Sequence, residues 1–178
     1  MLIPATSAGA TDPGAASGSR VVTAPPPWAK AVCGALDGWV SAVDAASTKA
    51  ATKAGGSTAS TKRTLNALLR STTKETAKLR KRLASAGKPS VAGGKQVAAT
   101  IREGFRQVES SLKGAQRTIA TASASDPSAF TNAVRASQDA VESGLESIQA
   151  AFSAARDTDA GALLAAFKAQ PACQNVAG

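Results

Sequence analysis

What most constrains this chain is a helical rhythm of large apolar residues that begins at Trp28 and is broken only by glycine, proline and aspartate punctuation. Trp28, Val32, Leu36, Trp39, Val43, Ala46 and Ala50 are spaced by four and three, which is one stripe of an amphipathic helix over 28–53. Ala54-Gly55-Gly56-Ser57-Thr58 interrupts it. A second helix runs to Ala86 on Leu65, Leu68, Leu69, Thr72, Thr76, Leu79 and Leu83, and Gly87 and Pro89 stop it. A third, over 90–124, uses Val97, Ile101, Phe105, Val108, Leu112, Ala115, Ile119 and Ala122. Asp126-Pro127 then offers an N-cap followed by proline at the first helical position, the strongest start signal in the chain. The fourth helix carries Phe130, Val134, Ser137, Val141, Leu145, Ile148 and Phe152. Asp157-Thr158-Asp159 breaks it ahead of a short fifth helix bearing Leu163, Leu164 and Phe167, stopped by Pro171. Helices about 40 to 50 Å long with short connections predict an all-α, antiparallel up-down-up-down four-helix bundle over residues 28–178.

The core of such a bundle is thin. Alanine, serine and threonine number 42, 19 and 16, whereas Leu, Ile, Val and Phe together number 30. Residues 1–27, rich in Gly, Ser, Thr and Pro and closing with Pro25-Pro26-Pro27, cannot bury a core and read as a disordered arm. Within it, Leu2-Ile3-Pro4 followed by small residues to Ala8-Gly9-Ala10 reads as the remnant of a signal peptide with an A-x-A-like cleavage site. The competing reading is a plain tail on a cytosolic protein. No apolar run approaches the roughly 18 residues that span a bilayer.

Cys33 lies near the start of the first helix and Cys173 near the C-terminus, bracketing the periodic part of the chain. Two cysteines outside a Cys-x-x-Cys pair, in a chain without histidine, fit neither a zinc site nor an activated nucleophile. A structural disulfide and two buried free thiols remain. The bundle topology brings the end of the fourth helix beside the start of the first, so it favours the Cys33–Cys173 disulfide, and with it an exported protein.

Trp28-Ala29-Lys30-Ala31-Val32-Cys33 and Ala169-Gln170-Pro171-Ala172-Cys173-Gln174 resemble the ends of small secreted proteins and lipoproteins of Streptomyces and related actinobacteria. In that group a Trp-Ala-x-x-Val-Cys segment opens an alanine-rich helical body and a Gln-x-x-Cys-Gln segment closes it. The resemblance implies compartment and fold, and it carries no assigned activity. Many members have a lipobox cysteine, and this chain has none before Cys33.

The net charge of +9 is unevenly spread. Residues 49–88 hold eleven Lys or Arg against the single acid Glu75. On a helical wheel Arg63, Arg70, Lys74, Lys78 and Lys81 fall together, opposite the leucine stripe of the second helix. Lys62, Arg63, Arg70, Lys74, Lys78, Lys81 and Arg82 are therefore the anion-contact candidates. The same charge also serves solubility, and Asp139, Glu142 and Glu146 of the fourth helix are available to answer part of it. Outside a cell the fitting partners are anionic wall polymer or the membrane surface. Nucleic-acid binding is the less favoured partner, because the second helix has no aromatic residue on which bases could stack.

Signals for catalysis are weak. The absence of histidine removes His acid/base chemistry and the Glu-x-x-His sets of di-metal bundles. Gly87-Lys88-Pro89-Ser90-Val91-Ala92-Gly93-Gly94-Lys95-Gln96 departs from a phosphate loop, having Gln96 where Ser or Thr would meet magnesium and no strand before it. Trp28 and Trp39 share the apolar stripe and read as core residues. The expectation is an exported, non-enzymatic envelope protein with no cofactor and no metal. An intracellular polyanion binder and a phasin-like protein that coats apolar surfaces are the alternatives.

Overall fold

The computed structural model of the chain describes residues 27–53, 55–157 and 161–174. The arm and signal remnant expected over 1–27 lie, Pro27 apart, outside the described residues. Four long helices form the body: α1 (Pro27–Ala51), α2 (Thr58–Ser85), α3 (Gly94–Thr121) and α4 (Pro127–Asp157). Two short ones follow, α5 (Gly161–Lys168) and α6 (Pro171–Gln174). The all-helical, antiparallel bundle with a short fifth helix is the fold the apolar rhythm predicts.

The punctuation acts through local chemistry. Ser57 caps α2, its hydroxyl accepting from the Ser60 N–H at 3.3 Å. Asp126 Oδ1 accepts from the N–H groups of Ser128 and Ala129 at 3.0 and 2.9 Å, with Pro127 as the first helical residue of α4. The helix expected from Ser90 starts at Gly94, because the chain first turns through Gly87 and Gly93, both with left-handed φ (73° and 67°). Pro89 then folds over Gly94, where a Cβ would sit 2.6 Å from the Pro89 carbonyl oxygen, so the site admits only glycine. α5 ends at Lys168, ahead of the expected stop at Pro171, and Pro171 also opens α6, the four-residue turn that carries Cys173.

Direction is fixed by contacts between helices. Trp28 Nε1 donates to the Gly87 carbonyl at 3.1 Å, joining the start of α1 to the end of α2. Lys62 at the start of α2 reaches Ala122 beyond the end of α3. Ser137 Oγ donates to the Ala115 carbonyl, and Gly144 lies against Val108 and Ser111, which sets α4 against α3. That pair packs closely because small residues line it: a Cβ on Gly144 would meet Ser111 at 3.1 Å.

α3 is the spine. Its stripe of Val97, Ile101, Phe105, Val108, Leu112, Ala115 and Ile119 is wholly buried, and both α2 and α4 pack on it. The main core cluster gathers Trp28, Val32 and Leu36 of α1, Leu79 and Leu83 of α2, Ile101 and Phe105 of α3, and Leu163 of α5. The two tryptophans belong to it as expected, Trp28 edge-on to Phe167 and Trp39 edge-on to Phe105 with ring centroids 5.6 and 5.5 Å apart. Trp39 Nε1 also donates to Thr76 Oγ1 at 3.0 Å, and that fully buried hydroxyl donates to the Thr72 carbonyl, so the Thr76 hydroxyl on the α2 stripe is satisfied.

Cys33 and Cys173 form a disulfide, with Cα atoms 5.0 Å apart and 140 residues between them. Closing a loop of that length stabilises the fold by about 5 kcal/mol in the chain-entropy account. The bond ties α6 to α1, and α5 with α6 covers α1 at this end. Among the described residues α4 scarcely touches α1, so the helices pack α1 on α2, α2 on α3 and α3 on α4 and leave an open side between α1 and α4.

Candidate functional site

Helix α2 presents the basic face anticipated from the sequence. Arg63, Arg70, Lys74, Lys78, Lys81 and Arg82 are exposed, whereas Lys62 is half-buried. Tertiary contacts divide these seven. Lys62 Nζ donates to the Ala122 carbonyl at 2.6 Å, placing a cation on the C-terminal end of the α3 dipole, so this residue is a cap of α3. Lys78 pairs with Glu75 at 2.7 Å on its own helix. The Arg82 guanidinium leans toward α1 and lies over Gly38. Arg63, Arg70, Lys74 and Lys81 are left, spaced seven, four and seven residues apart on one outward line about 27 Å long. None of the four has an ion-pair or hydrogen-bond partner among the described residues.

Helix α4 does not neutralise this line. The acids that do pair with bases are Glu75, Glu103 and Glu109, all on α2 and α3. Glu109 is the most consequential. Its carboxylate is buried and bridges Arg80 of α2 and Lys113 of α3, each at 2.5 Å. Burial pushes this carboxyl up, but hydrogen bonds and charge from Lys113 and Arg80 outweigh it and hold the group below the ordinary carboxylate range. Glu109 and Lys113 stand four residues apart on one helix, a spacing that brings such side chains together, but the Arg80 contact spans 29 residues and has no local signal. Arg135 and Asp139, at the same i,i+4 spacing on α4, are not joined.

The other chemistry-bearing groups stay apart. Asp139, Glu142 and Glu146 lie exposed on α4, and no group of three or more acids or cysteines among the described residues is arranged to hold a metal ion. The Gly87–Gln96 stretch connects two helices and carries the Trp28 and Arg102 contacts to the Gly87 carbonyl. A shallow apolar cleft of about 140 Å³ opens between α1 and α2 at the end away from the disulfide, lined by Ala46, Ala50, Ala67 and Leu68 with Lys49 and Lys53 beside them. No described helix is long and apolar enough to cross a membrane.

Comparison with protein-family models, with curated proteins and with solved structures yields no match.

Proposed function

We propose that this is an exported, non-enzymatic protein of the cell envelope that lays the outer face of α2 on an anionic surface, wall polymer or lipid headgroups. The observation that carries the reading is the unpaired line Arg63, Arg70, Lys74 and Lys81, four cations over about 27 Å that no acid of the described chain neutralises. Near an anionic membrane each such residue contributes about 1 kcal/mol, and the sum falls with added salt. The disulfide supports an oxidising compartment. The resemblance of the two end segments to actinobacterial secreted proteins supports the same one.

Cosedimentation with phosphatidylglycerol vesicles and with a poly(glycerol phosphate) wall polymer tests this reading. Binding at low salt is expected to weaken about tenfold or more when Arg70, Lys74 and Lys81 are changed to glutamine, and to change little for Lys62→Gln. Equal binding by the triple variant and the parent protein would assign the face to solubility alone.

A further inference from the structure

The open fourth side of the bundle has a definite chemistry. Val40 and Leu145, at 38 % and 44 % exposure, are the two exposed large hydrophobic residues among those described, and they sit on α1 and α4, the two helices that leave the seam unclosed. They lie at nearly the same height. Val40 follows Trp39, which stacks on Phe105; Leu145 follows Gly144, which rests on Val108, less than one turn further along α3. Val40 is also two turns beyond Cys33 on the face that α6 covers below, so the covering stops short of it. On α4, Ser137 and Gly144 face α3, and Leu145 lies about 100° around from Gly144, beyond the half-buried Val141 and Ile148.

The borders of this seam are acidic. Asp37 and Asp44 flank Val40 on the outer side of α1, and Asp139, Glu142 and Glu146 run along the outer side of α4 beyond Leu145. None of the five makes an ion pair or side-chain hydrogen bond among the described residues. The unpaired bases of α2 lie on the exposed face of that helix, away from its buried stripe of Thr72, Thr76, Leu79 and Leu83. Every acid on α2 and α3 is paired, whereas the five acids beside the seam and the four bases on the α2 face are left unanswered; Lys30 of α1 and Arg135 of α4 are further bases, about 15 Å along their helices from Val40 and Leu145.

We infer that the α1–α4 seam receives the basic face of α2 from a second copy of the chain, in a head-to-tail contact. The complementary surface is already present on the molecule: a helix face carrying Arg63, Arg70, Lys74 and Lys81 with the small Ala67 and Ala84 exposed beside them. Alanines and the aliphatic stems of the bases would lie on Val40 and Leu145, and the cationic heads would reach the two acidic borders. Because the two surfaces differ, the contact is heterologous, and each added copy leaves one seam and one α2 face free. Self-association through this contact stands or falls independently of what α2 meets in the envelope.

Sedimentation velocity of the oxidised protein across a concentration series tests it. Association is expected at low salt and should weaken at high salt. Two variants decide the geometry, both altered only at exposed positions: a seam variant, Glu142→Lys with Glu146→Lys, and a face variant, Arg70→Glu with Lys74→Glu. Each alone should associate at least about tenfold more weakly, and an equimolar mixture should form a one-to-one dimer, since the intact seam of one meets the intact face of the other. The seam variant should retain vesicle binding, which separates this contact from the membrane reading. A protein monomeric at all concentrations and salts, association indifferent to both variants, or a mixture that stays monomeric would each overturn the inference.

Discussion

The two ends of the bundle are built from the same kind of helix and are held in different ways. At the disulfide end, Trp28, Val32, Leu36, Leu79, Leu83, Ile101, Phe105 and Leu163 form one buried cluster, and the Cys33–Cys173 bond lies beside it. At the other end α1 offers Val43, Ala46 and Ala50, and α2 offers Leu65, Leu68 and Leu69, none of them fully buried, around a cleft of about 140 Å³. An alanine-rich sequence lets helices approach closely but buries little apolar area per residue. Along α1 and α2 the chain therefore concentrates its buried large side chains and the covalent link at one end, while α3 and α4 keep Leu112, Ile119 and Phe130 buried toward the other. The opposite end of α1 and α2 is left with a shallow contact.

Removing the disulfide should have the largest effect on this contrast. Changing Cys33 and Cys173 to alanine is expected to lower stability by about 4 to 5 kcal/mol in denaturant titration. Hydrogen exchange should rise first in α5, α6 and the start of α1, with α3 and α4 retaining their order of protection. Equal loss of protection at the cleft end of α1 and α2 would mean that the two ends open as one unit. Next, Phe105→Ala, at the centre of the buried cluster, should cost about 4 kcal/mol.

Glu109→Gln probes the middle of the bundle, where α2 and α3 are joined by charge. Loss of the carboxylate leaves Arg80 and Lys113 without their shared partner and should cost about 2 kcal/mol at neutral pH. The Glu109 carboxyl titrates below its unfolded value of about 4.3, so its stabilisation is present above that pH and is lost as pH falls through the folded value. The gap between parent and variant in a pH series of melting curves should accordingly shrink in acid. The smallest effect is expected at the cleft, where Leu68→Ala removes a half-buried side chain and should cost about 1 kcal/mol. A Leu68→Ala loss as large as that of Phe105→Ala would erase the distinction between the ends.

Much of this was legible in the sequence for a physical reason: helix formation, caps and amphipathic faces depend on residues within one or two turns of each other. Asp126-Pro127 started α4, Gly87 ended α2, and the α3 stripe from Val97 to Ile119 is the buried face. α5 ends ahead of Pro171 as the sequence suggests, but the turn that Pro171 opens had no signal of its own, because proline suits both the residue after a helix and the first residue of one. The outward direction of the α2 bases followed from periodicity. Which of them remain free did not, because their partners lie far away in sequence or, as with Lys78 and Glu75, depend on which local contact the side chain takes up.

By itself, then, the sequence determined the number and approximate extent of the long helices, the stripe that α3 buries, the placement of the two cysteines at one end and the basic side of α2. Each of these follows from local spacing and chain connectivity. The sequence did not foresee that Leu145 of the α4 stripe stays exposed. Tertiary structure alone decided that Lys62 caps α3, that Arg80 and Lys113 share Glu109, and that α5 and α6 cover α1 while α4 stays on α3. The last of these turns on side-chain size. Ser111, Ala115, Ser137 and Gly144 let α3 and α4 come close, and the large residues of α1 are met instead by Leu163 and Phe167, which leaves Val40 and Leu145 on an open seam.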